Sequence, residues 1–283
     1  MTSLDRWIAH TPMSDPGHHA DIIASFPDEV GHLAGIVQGL LVHSSWLADY
    51  GLDASKLGPS ARQTLPIAER LADILQRDDR PLAQARPADR RSVGTCRDFA
   101  LLLCAFLRGK DVPARVRCGF ASYFSIGWED HWICEYRDGR SGAWKLADAQ
   151  IDAMLRDKRH IEFDAADMPR DVFLMAGEAW LKCRRGEAEP ASFGHGSTTG
   201  LWFLKVNVLR DHHVLNGRVT SDWDRWREAP QASRQVPQDE LAWLDDLAAR
   251  PEQPLVARKP DWLVQADRWL EIPAALDDQK TRT

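Results

Sequence analysis

Apolar residues recur at helical spacing in two stretches of the first third of the chain. One stretch covers residues 28–47, just behind Pro27, and the other covers residues 65–76. Both patterns predict amphipathic helices with a proline near the first turn. A third stretch, residues 99–107, is apolar on nearly every face and therefore predicts a helix buried in the core.

The segment after this helix alternates apolar runs with turn residues. Three runs have the composition of strands, namely 116–120, 131–137 and 142–148. A four-residue turn at 138–141 joins the last two runs and is typical of a hairpin. Such a loop pairs Arg137 with Gly142. Counting back from the turn then places His131 directly opposite Asp148.

Beyond residue 148 the pattern becomes helical again, with Gly, Pro and Asn in the gaps. The candidate helices are 151–157, 171–183, 201–215, 221–227, 239–249 and 261–269. The sequence contains no visible internal repeat or low-complexity linker. Composition therefore marks no clean domain boundary.

Cys96 has a setting that the other four cysteines lack, because it falls in the first turn of the predicted buried helix. The unpaired N–H groups and the positive end of the helix dipole favour a thiolate there, which makes the sulfur nucleophilic. Asp148 could accept the ring N–H of His131 across the hairpin and so orient the imidazole. The three residues fit the nucleophile, base and orienting acid of acyl transfer through a thioester.

Each of these residues also has a structural explanation. A cysteine at a helix start is usually a packing residue. A histidine at a strand start usually lies at the surface, or in the core with its hydrogen bonds satisfied. Asp148 could cap a helix that begins at Ala149. The order of the three residues, and the types of element that carry them, favour the catalytic interpretation.

The residues around these positions resemble a known family. The matching pattern consists of Gly-x-Cys-x-Asp-Phe-Ala at 94–100, Gly-x-x-Val-Pro-Ala-Arg-Val at 109–116, His-Trp at 131–132 and Trp-x-x-x-Asp at 144–148. Over residues 90–150 the chain resembles the core of the transglutaminase-like superfamily of papain-type cysteine enzymes, as found in bacterial proteins. The resemblance implies an α+β cysteine-proteinase fold, in which the nucleophile helix packs on an antiparallel sheet, with helical N- and C-terminal additions.

The resemblance also assigns roles to single residues. It implies that Cys96 is the nucleophile, His131 the base and Asp148 the orienting acid. The family's extra oxyanion donor is usually an aromatic or amide side chain upstream of the nucleophile, and Gln84 is the candidate here. The superfamily includes amide hydrolases, amide-forming acyltransferases and catalytically inert members. All three possibilities stay open. The expected substrate is a small molecule or peptide with an amide or other acyl group.

Further residues near the three complete the expected site. Glu135 and His131 lie on the same face of the strand, because side chains alternate with a period of two. We therefore expect Glu135 to be a supporting partner of the histidine. The aromatic residues expected to form the wall of the substrate pocket are Tyr123, Phe124, Trp128 and Trp132.

The predicted catalytic core leaves a long segment on either side. We expect a helical N-terminal part at 1–85, the catalytic core at 86–165 and a helical C-terminal part at 166–283. The three parts are expected to form one compact domain.

Bulk composition narrows the classes of function. A net charge of −6 without any Lys/Arg run argues against a nucleic-acid partner. No stretch approaches the roughly 20 apolar residues of a membrane span, and no signal-peptide pattern opens the chain, so we expect a cytoplasmic protein without a membrane partner. The five cysteines lack metal-type spacing, and the histidine pairs at 18–19 and 212–213 lack companion ligands. We therefore expect free thiols, no metal and no cofactor.

Overall fold

The chain folds into a mixed sheet with helices packed around it, in a computed structural model that describes residues 4–56, 63–125, 127–219, 231 and 234–253. In chain order the helices are α1 (Asp5–Ile8), α2 (Ala20–Ala24), α3 (Val30–Leu40), α4 (Ile67–Arg77), α5 (Cys96–Arg108), α6 (Ala153–Arg159), α7 (Ala176–Arg184), α8 (Leu201–Leu215) and α9 (Leu241–Ala249). The strands are β1 (Leu41–His43), β2 (Ser92–Gly94), β3 (Ala114–Ala121), β4 (Trp128–Arg137), β5 (Trp144–Ala147), β6 (Phe173–Met175), β7 (Phe193–His195) and β8 (Thr198–Thr199). This arrangement confirms the predicted α+β class.

Strands β3 and β4 form the centre of the main sheet and pair antiparallel along their length. Strand β6 pairs with β3, whereas the other edge of β4 is shared by two strands. There β5 pairs antiparallel with residues 134–137, and β7 pairs parallel with residues 128–129. Within the described ladders, residues 130–133 therefore have a strand partner only on the β3 side. His131 lies in this gap between β5 and β7.

Helix α5 is buried against the sheet, as its apolar pattern predicts. Residues 97–108 of this helix are all buried, and its hydrophobic side chains pack with those of α3, β3 and β4. The helix that carries Cys96 is thus fixed by core packing rather than by surface contacts.

A short parallel pair of strands precedes α5 and differs from the predicted pattern. The apolar spacing predicts a helix over 28–47, but α3 ends at Leu40 and the chain continues as β1. Strand β1 pairs with β2, which places His43 opposite Gly94. The partner strand is distant in sequence, so helical spacing alone could not reveal this change.

The C-terminal helices form a second hydrophobic cluster, built mainly from α7, α8 and α9. The helix predicted at 201–215 has the observed bounds of α8. The helix predicted at 171–183 is partly wrong, because β6 occupies its start and α7 begins only after that strand. The helices predicted at 221–227 and 261–269 lie outside the described residues.

One hydrophobic cluster contains residues from all three predicted parts of the chain, for example Ile23, Leu101 and Val214. The three-part division itself stays a prediction. In the part of the chain that the structure describes, every helix is too short or too polar to cross a bilayer.

Candidate active site

Cys96 is the first residue of α5, and Asp98 holds the turn that carries it. Oδ2 of Asp98 accepts a hydrogen bond from the backbone N–H of Thr95 at 2.7 Å and another from the Thr95 hydroxyl at 3.0 Å. A carboxylate in the first turn also stabilises the positive end of the helix dipole. The Cys96 side chain is half-buried. Its sulfur is therefore held in place and still accessible.

Arg70 on α4 ties the same turn to the preceding strand. Its Nη2 donates to Oδ1 of Asp98 at 2.8 Å. Its Nη1 donates to the hydroxyl oxygen of Ser92 at 2.7 Å and to the carbonyl of Val93 at 2.9 Å. Arg70 and Asp98 are both buried, so solvent screens this ion pair only weakly. The position of the nucleophile thus depends on α4, β2 and α5 together.

Gly94 leaves no room for a side chain next to Asp98. A Cβ at Gly94 would lie 2.9 Å from the Cβ of Asp98, closer than two carbon atoms can pack. We expect Gly94→Ala to lower the free energy of unfolding by about 1–3 kcal/mol and to slow alkylation of Cys96, because Asp98 must move. Urea unfolding and iodoacetamide kinetics measure the two effects. Gly139→Ala is the control, since a Cβ there meets nothing within 4 Å, and equal stability of the two variants would contradict the prediction.

His131 is 2% exposed and is held by neighbours on several sides. Its Nε2 lies 2.8 Å from Oδ2 of Asp148, and the Cys96 side chain lies close enough to the ring to raise the pKa of His131. Because Asp148 occupies Nε2, Nδ1 is the nitrogen left for the sulfur. The rings of Phe124 and Tyr123 pack edge-on to the imidazole, with centroid distances of 4.8 and 6.0 Å. These contacts fix the orientation of the ring.

Asp148 directly follows β5, and both of its carboxylate oxygens accept hydrogen bonds. Oδ2 accepts from the hydroxyl of Tyr123 at 2.8 Å in addition to the His131 contact, and Oδ1 accepts from the backbone N–H of Gln150 at 2.9 Å. Burial and the Asp148 carboxylate raise the pKa of Tyr123 well above its ordinary value. The tyrosine therefore keeps its proton and remains a donor.

The predicted register of the hairpin is wrong by two residues. Arg137 pairs with Trp144 rather than with Gly142, so the loop has six residues instead of four. A shift by an even number of residues keeps every side chain on the same face of a sheet. Asp148 therefore still reaches His131 from just beyond the strand end, although the two residues are not direct partners.

The charge of His131 is set by the groups around it. Burial alone would lower the pKa of His131, because the imidazolium loses its water. The charge and hydrogen bond of Asp148, together with the Cys96 sulfur, outweigh burial and raise the pKa of His131 to about 10. At neutral pH the ring therefore faces the sulfur as an imidazolium.

A cavity of about 340 Å³ opens beside Cys96 and His131. Its size is near the lower end of the range of about 300–1,000 Å³ that small-molecule sites occupy. The rest of its wall includes Trp46, Phe124, Trp132, Gln150, Arg159 and His195. In the described residues, no group of three or more metal-type ligands occurs.

Comparison with known families places this geometry in context. The family model of the transglutaminase-like superfamily matches residues 69–149. Residues 69–149 are a transglutaminase-like core. Cys96, His131 and Asp148 all lie within this core, as do most of α4 and most of the strands that position them.

The chain also has a distant structural similarity to a protein of known structure. A solved structure of a "Putative Cysteine Protease" from Cytophaga hutchinsonii matches with 13% sequence identity and a TM-score of 0.38. The match covers 62% of this chain and 46% of that chain, so the chain spans about half the length of that protein. Comparison with curated proteins gives no match.

Two of the four predicted wall residues line the cavity of the transglutaminase-like core, namely Phe124 and Trp132. Tyr123 lies behind the imidazole instead, where its hydroxyl donates to the carboxylate of the histidine's partner. Trp128 packs on Phe193 in the second hydrophobic cluster, with ring centroids 5.8 Å apart. The cause is the pairing of β7 with β4, which places these two residues opposite each other.

Gln84 and Glu135 do not occupy their predicted places. Gln84 is exposed in the segment before β2 and does not line the cavity, which corrects its expected role as an oxyanion donor. Glu135 is buried, and its carboxylate accepts hydrogen bonds from Arg115 and Arg117, each at 2.7 Å. It therefore neutralises arginines rather than supporting His131.

Several cavity residues were not evident from the sequence. Trp46 follows β1, Arg159 ends α6, and His195 ends β7, so only the tertiary fold brings them to the transglutaminase-like core. Of these cavity residues, only Gln150 could have been found from the sequence, because it lies two residues after the predicted orienting acid.

Proposed function

We propose that the protein transfers acyl groups through a thioester at Cys96, with His131 as proton donor and acceptor and Asp148 as the group that orients it. The contacts of His131 carry this proposal. Its Nε2 lies 2.8 Å from Asp148, and the Cys96 side chain lies beside its ring at an open cavity that both residues line. A nucleophile, a base and an orienting group in mutual contact are the signature of covalent catalysis.

The proposed reaction is amide hydrolysis in two steps. The Cys96 thiolate attacks the carbonyl carbon, a C–S bond forms, and the carbonyl oxygen becomes an oxyanion. N–H groups in the first turn of α5 have no partner within the helix and are suited to bind this oxyanion. The His131 imidazolium protonates the nitrogen as the C–N bond breaks, and the amine leaves. Water then attacks the thioester, His131 takes its proton, and the carboxylic acid and the Cys96 thiolate are released.

Transfer to an amine in place of water is the second candidate reaction. A second histidine–carboxylate pair favours it, because Nδ1 of His195 lies 3.0 Å from Oε1 of Glu129 and both residues line the cavity. Such a pair could accept a proton from an incoming ammonium group. With 4-nitrophenyl acetate as acyl donor and glycinamide as acceptor, N-acetylglycinamide would support transfer, whereas acetate alone would support hydrolysis.

An inert binding module of the same fold would need neither feature of this site. It would not require Cys96 to lie beside His131, nor a cavity next to the sulfur. Both features therefore favour an enzyme over a binding module.

Selective alkylation tests the proposed nucleophile. We expect iodoacetamide at pH 7 to modify Cys96 at least about a hundredfold faster than any other cysteine, because Cys96 lines the cavity beside His131, whereas Cys104, Cys118 and Cys134 are buried. Cys183 is the internal control, since it is also half-buried, but burial raises the pKa of Cys183 to about 11. Peptide mapping by mass spectrometry identifies the modified thiol. Equal rates at the two cysteines would refute the proposal.

The histidine variant tests the proposed ion pair. We expect His131→Ala to slow alkylation of Cys96 by at least about tenfold, because the thiolate loses its cationic partner. Alkylation of Cys183 should not change. If His131→Ala leaves the rate at Cys96 unchanged while the protein remains folded by circular dichroism, His131 does not activate the sulfur.

A further inference from the structure

Gln150 and Arg159 each place on the cavity wall a buried polar atom that has no hydrogen-bond partner within the described residues. They are Oε1 of Gln150, an acceptor, and Nε of Arg159, a donor. Both residues line the cavity that contains Cys96 and His131. Buried polar groups in folded proteins nearly always form hydrogen bonds. Buried atoms without a partner on a cavity wall therefore point to a ligand that forms the missing hydrogen bonds.

Unlike the other two arginines of the cavity, the side chain of Arg159 makes no hydrogen bond or ion pair with the described residues. Arg210 donates to Asp130 at 3.0 Å, and Arg97 donates to the hydroxyl of Thr64 at 3.0 Å. No carboxylate of the described residues pairs with Arg159, whose guanidinium lies over the ring of Trp46 at 5.0 Å. A planar guanidinium stacked on an aromatic ring is held in place while its N–H groups remain available to an anion.

Neither carboxylate that lines the cavity pairs with Arg159. Asp130 is engaged by Arg210, and Oε1 of Glu129 lies 3.0 Å from Nδ1 of His195. Arg159 is thus a cation on the wall without a carboxylate partner among the described residues. An anionic ligand would supply that partner.

Gln150 is held next to the proposed catalytic residues by its own backbone. It is 3% exposed, and its N–H donates to Oδ1 of Asp148 at 2.9 Å. The position of its carboxamide is therefore tied to the carboxylate that orients His131. An unpaired oxygen at this place suits a substrate N–H close to the reacting carbonyl.

We propose, on the basis of the thioester function above, that the substrate is an amide bearing a carboxylate, such as an N-acyl amino acid or the carboxyl-terminal residue of a peptide. Arg159 pairs with the carboxylate, Gln150 accepts the hydrogen bond of the amide N–H, and Trp46 and Phe124 contact the carbon skeleton. The cavity of about 340 Å³ fits a compound of this size rather than a folded protein surface.

Charged and neutral alkylating agents of matched shape test this assignment. The probes are chloroacetyl-glycine, chloroacetyl-β-alanine and chloroacetyl-γ-aminobutyrate, each compared with its carboxamide. In every case the Cys96 thiolate displaces chloride, so a C–S bond replaces the C–Cl bond and only the distant group differs. We expect at least one carboxylate of the length series to react about tenfold faster than its carboxamide, because Arg159 binds it before alkylation.

Variants on α6 identify the source of that preference. Arg159→Gln should lower the ratio of the carboxylate rate to the carboxamide rate about tenfold, whereas Arg159→Lys should retain part of this preference. Lys158→Gln is the matched control, because it removes the same charge from the neighbouring residue, which pairs with Asp49 outside the cavity. Thermal unfolding confirms that each variant is folded.

The outcomes separate this inference from the proposed function. If all probes fail to modify Cys96, the nucleophile proposal itself fails. If they modify Cys96 but carboxylates and carboxamides react alike, or if the preference survives in Arg159→Gln, the anionic substrate is refuted and the thioester function stands.

A methylated probe tests the role of Gln150. Chloroacetyl-sarcosine lacks the N–H of chloroacetyl-glycine and should react more slowly with the wild-type protein. In Gln150→Leu this difference should disappear, because the acceptor is gone. An unchanged difference would show that Gln150 does not receive the substrate N–H.

Discussion

Replacing Asp148 with asparagine should leave the His131 ring neutral at pH 8, where we expect the wild-type ring to be protonated. In the wild type, the charge and hydrogen bond of Asp148 overcome burial and raise the pKa of His131 to about 10. The asparagine removes the charge, so burial then disfavours the imidazolium. Histidine side-chain ¹⁵N resonances across a pH titration measure this change.

Tyr123→Phe is the matched control for Asp148→Asn. It removes one hydrogen bond to Asp148 but leaves the carboxylate charge in place. The pKa of His131 should then change much less, and the ring should still be protonated at pH 8. If the ring in Asp148→Asn also remains protonated at pH 8, then Asp148 does not set the charge of His131, and its proposed role as the orienting acid is wrong.

The raised pKa of His131 should also make the stability of the protein depend on pH. The pKa of His131 in the folded protein is about 10, above its ordinary value of 6.5, so the folded state holds the proton more tightly. This contribution to the free energy of unfolding is complete below about pH 6.5 and is lost as the pH rises toward 10. Asp148→Asn should abolish this loss, which urea unfolding at pH 7 and pH 10 would detect.

The sequence could predict elements whose signals are local. The helix at 201–215 is limited by Gly200 and Asn216 and was predicted with its observed bounds. The strands around the hairpin were also predicted, because turn residues separate them. Helix α5 was evident from its apolar faces. In each case the deciding interactions lie within a few residues of one another.

The contact between His131 and Asp148 was predicted through an incorrect register. The loop is two residues longer than its turn residues indicate, but an even shift preserves the face of the sheet. An odd shift would have separated the two side chains. The contact was therefore predictable only because strand periodicity tolerates this particular error.

The wall of the cavity depends on pairings between distant segments and was largely beyond local signals. Trp46 lies at the cavity because β1 pairs with β2, and Trp128 lies outside it because β7 pairs with β4. Glu135 fits its predicted strand but not its predicted role, since its charge is used by Arg115 and Arg117. Such ion pairs cannot be read from the spacing of one strand.

The cluster around Arg117 joins the transglutaminase-like core to α8. Nε and Nη2 of Arg117 donate to the two carboxylate oxygens of Asp211 at 3.0 and 2.7 Å, and Nη1 donates to Glu135 at 2.7 Å. Asp211 also accepts from the backbone N–H of Cys118, so α8 covers an edge of β3. Burial alone would raise the pKa of Glu135, but Arg117 and Arg115 lower it to about 2.

Arg117→Met should lower the free energy of unfolding by about 3–5 kcal/mol, because the buried carboxylate of Asp211 loses its bidentate partner. Urea unfolding at pH 7 measures the loss. Arg170→Met is the matched control, since Arg170 also contacts Glu135, at 3.3 Å, but its side chain is 54% exposed, and we expect a loss of at most about 1 kcal/mol. Because the pKa of Glu135 is lowered, its own contribution is present above about pH 4.5 and is lost as the pH falls toward 2. Equal losses in the two variants would mean that the buried cluster does not hold α8 against the core.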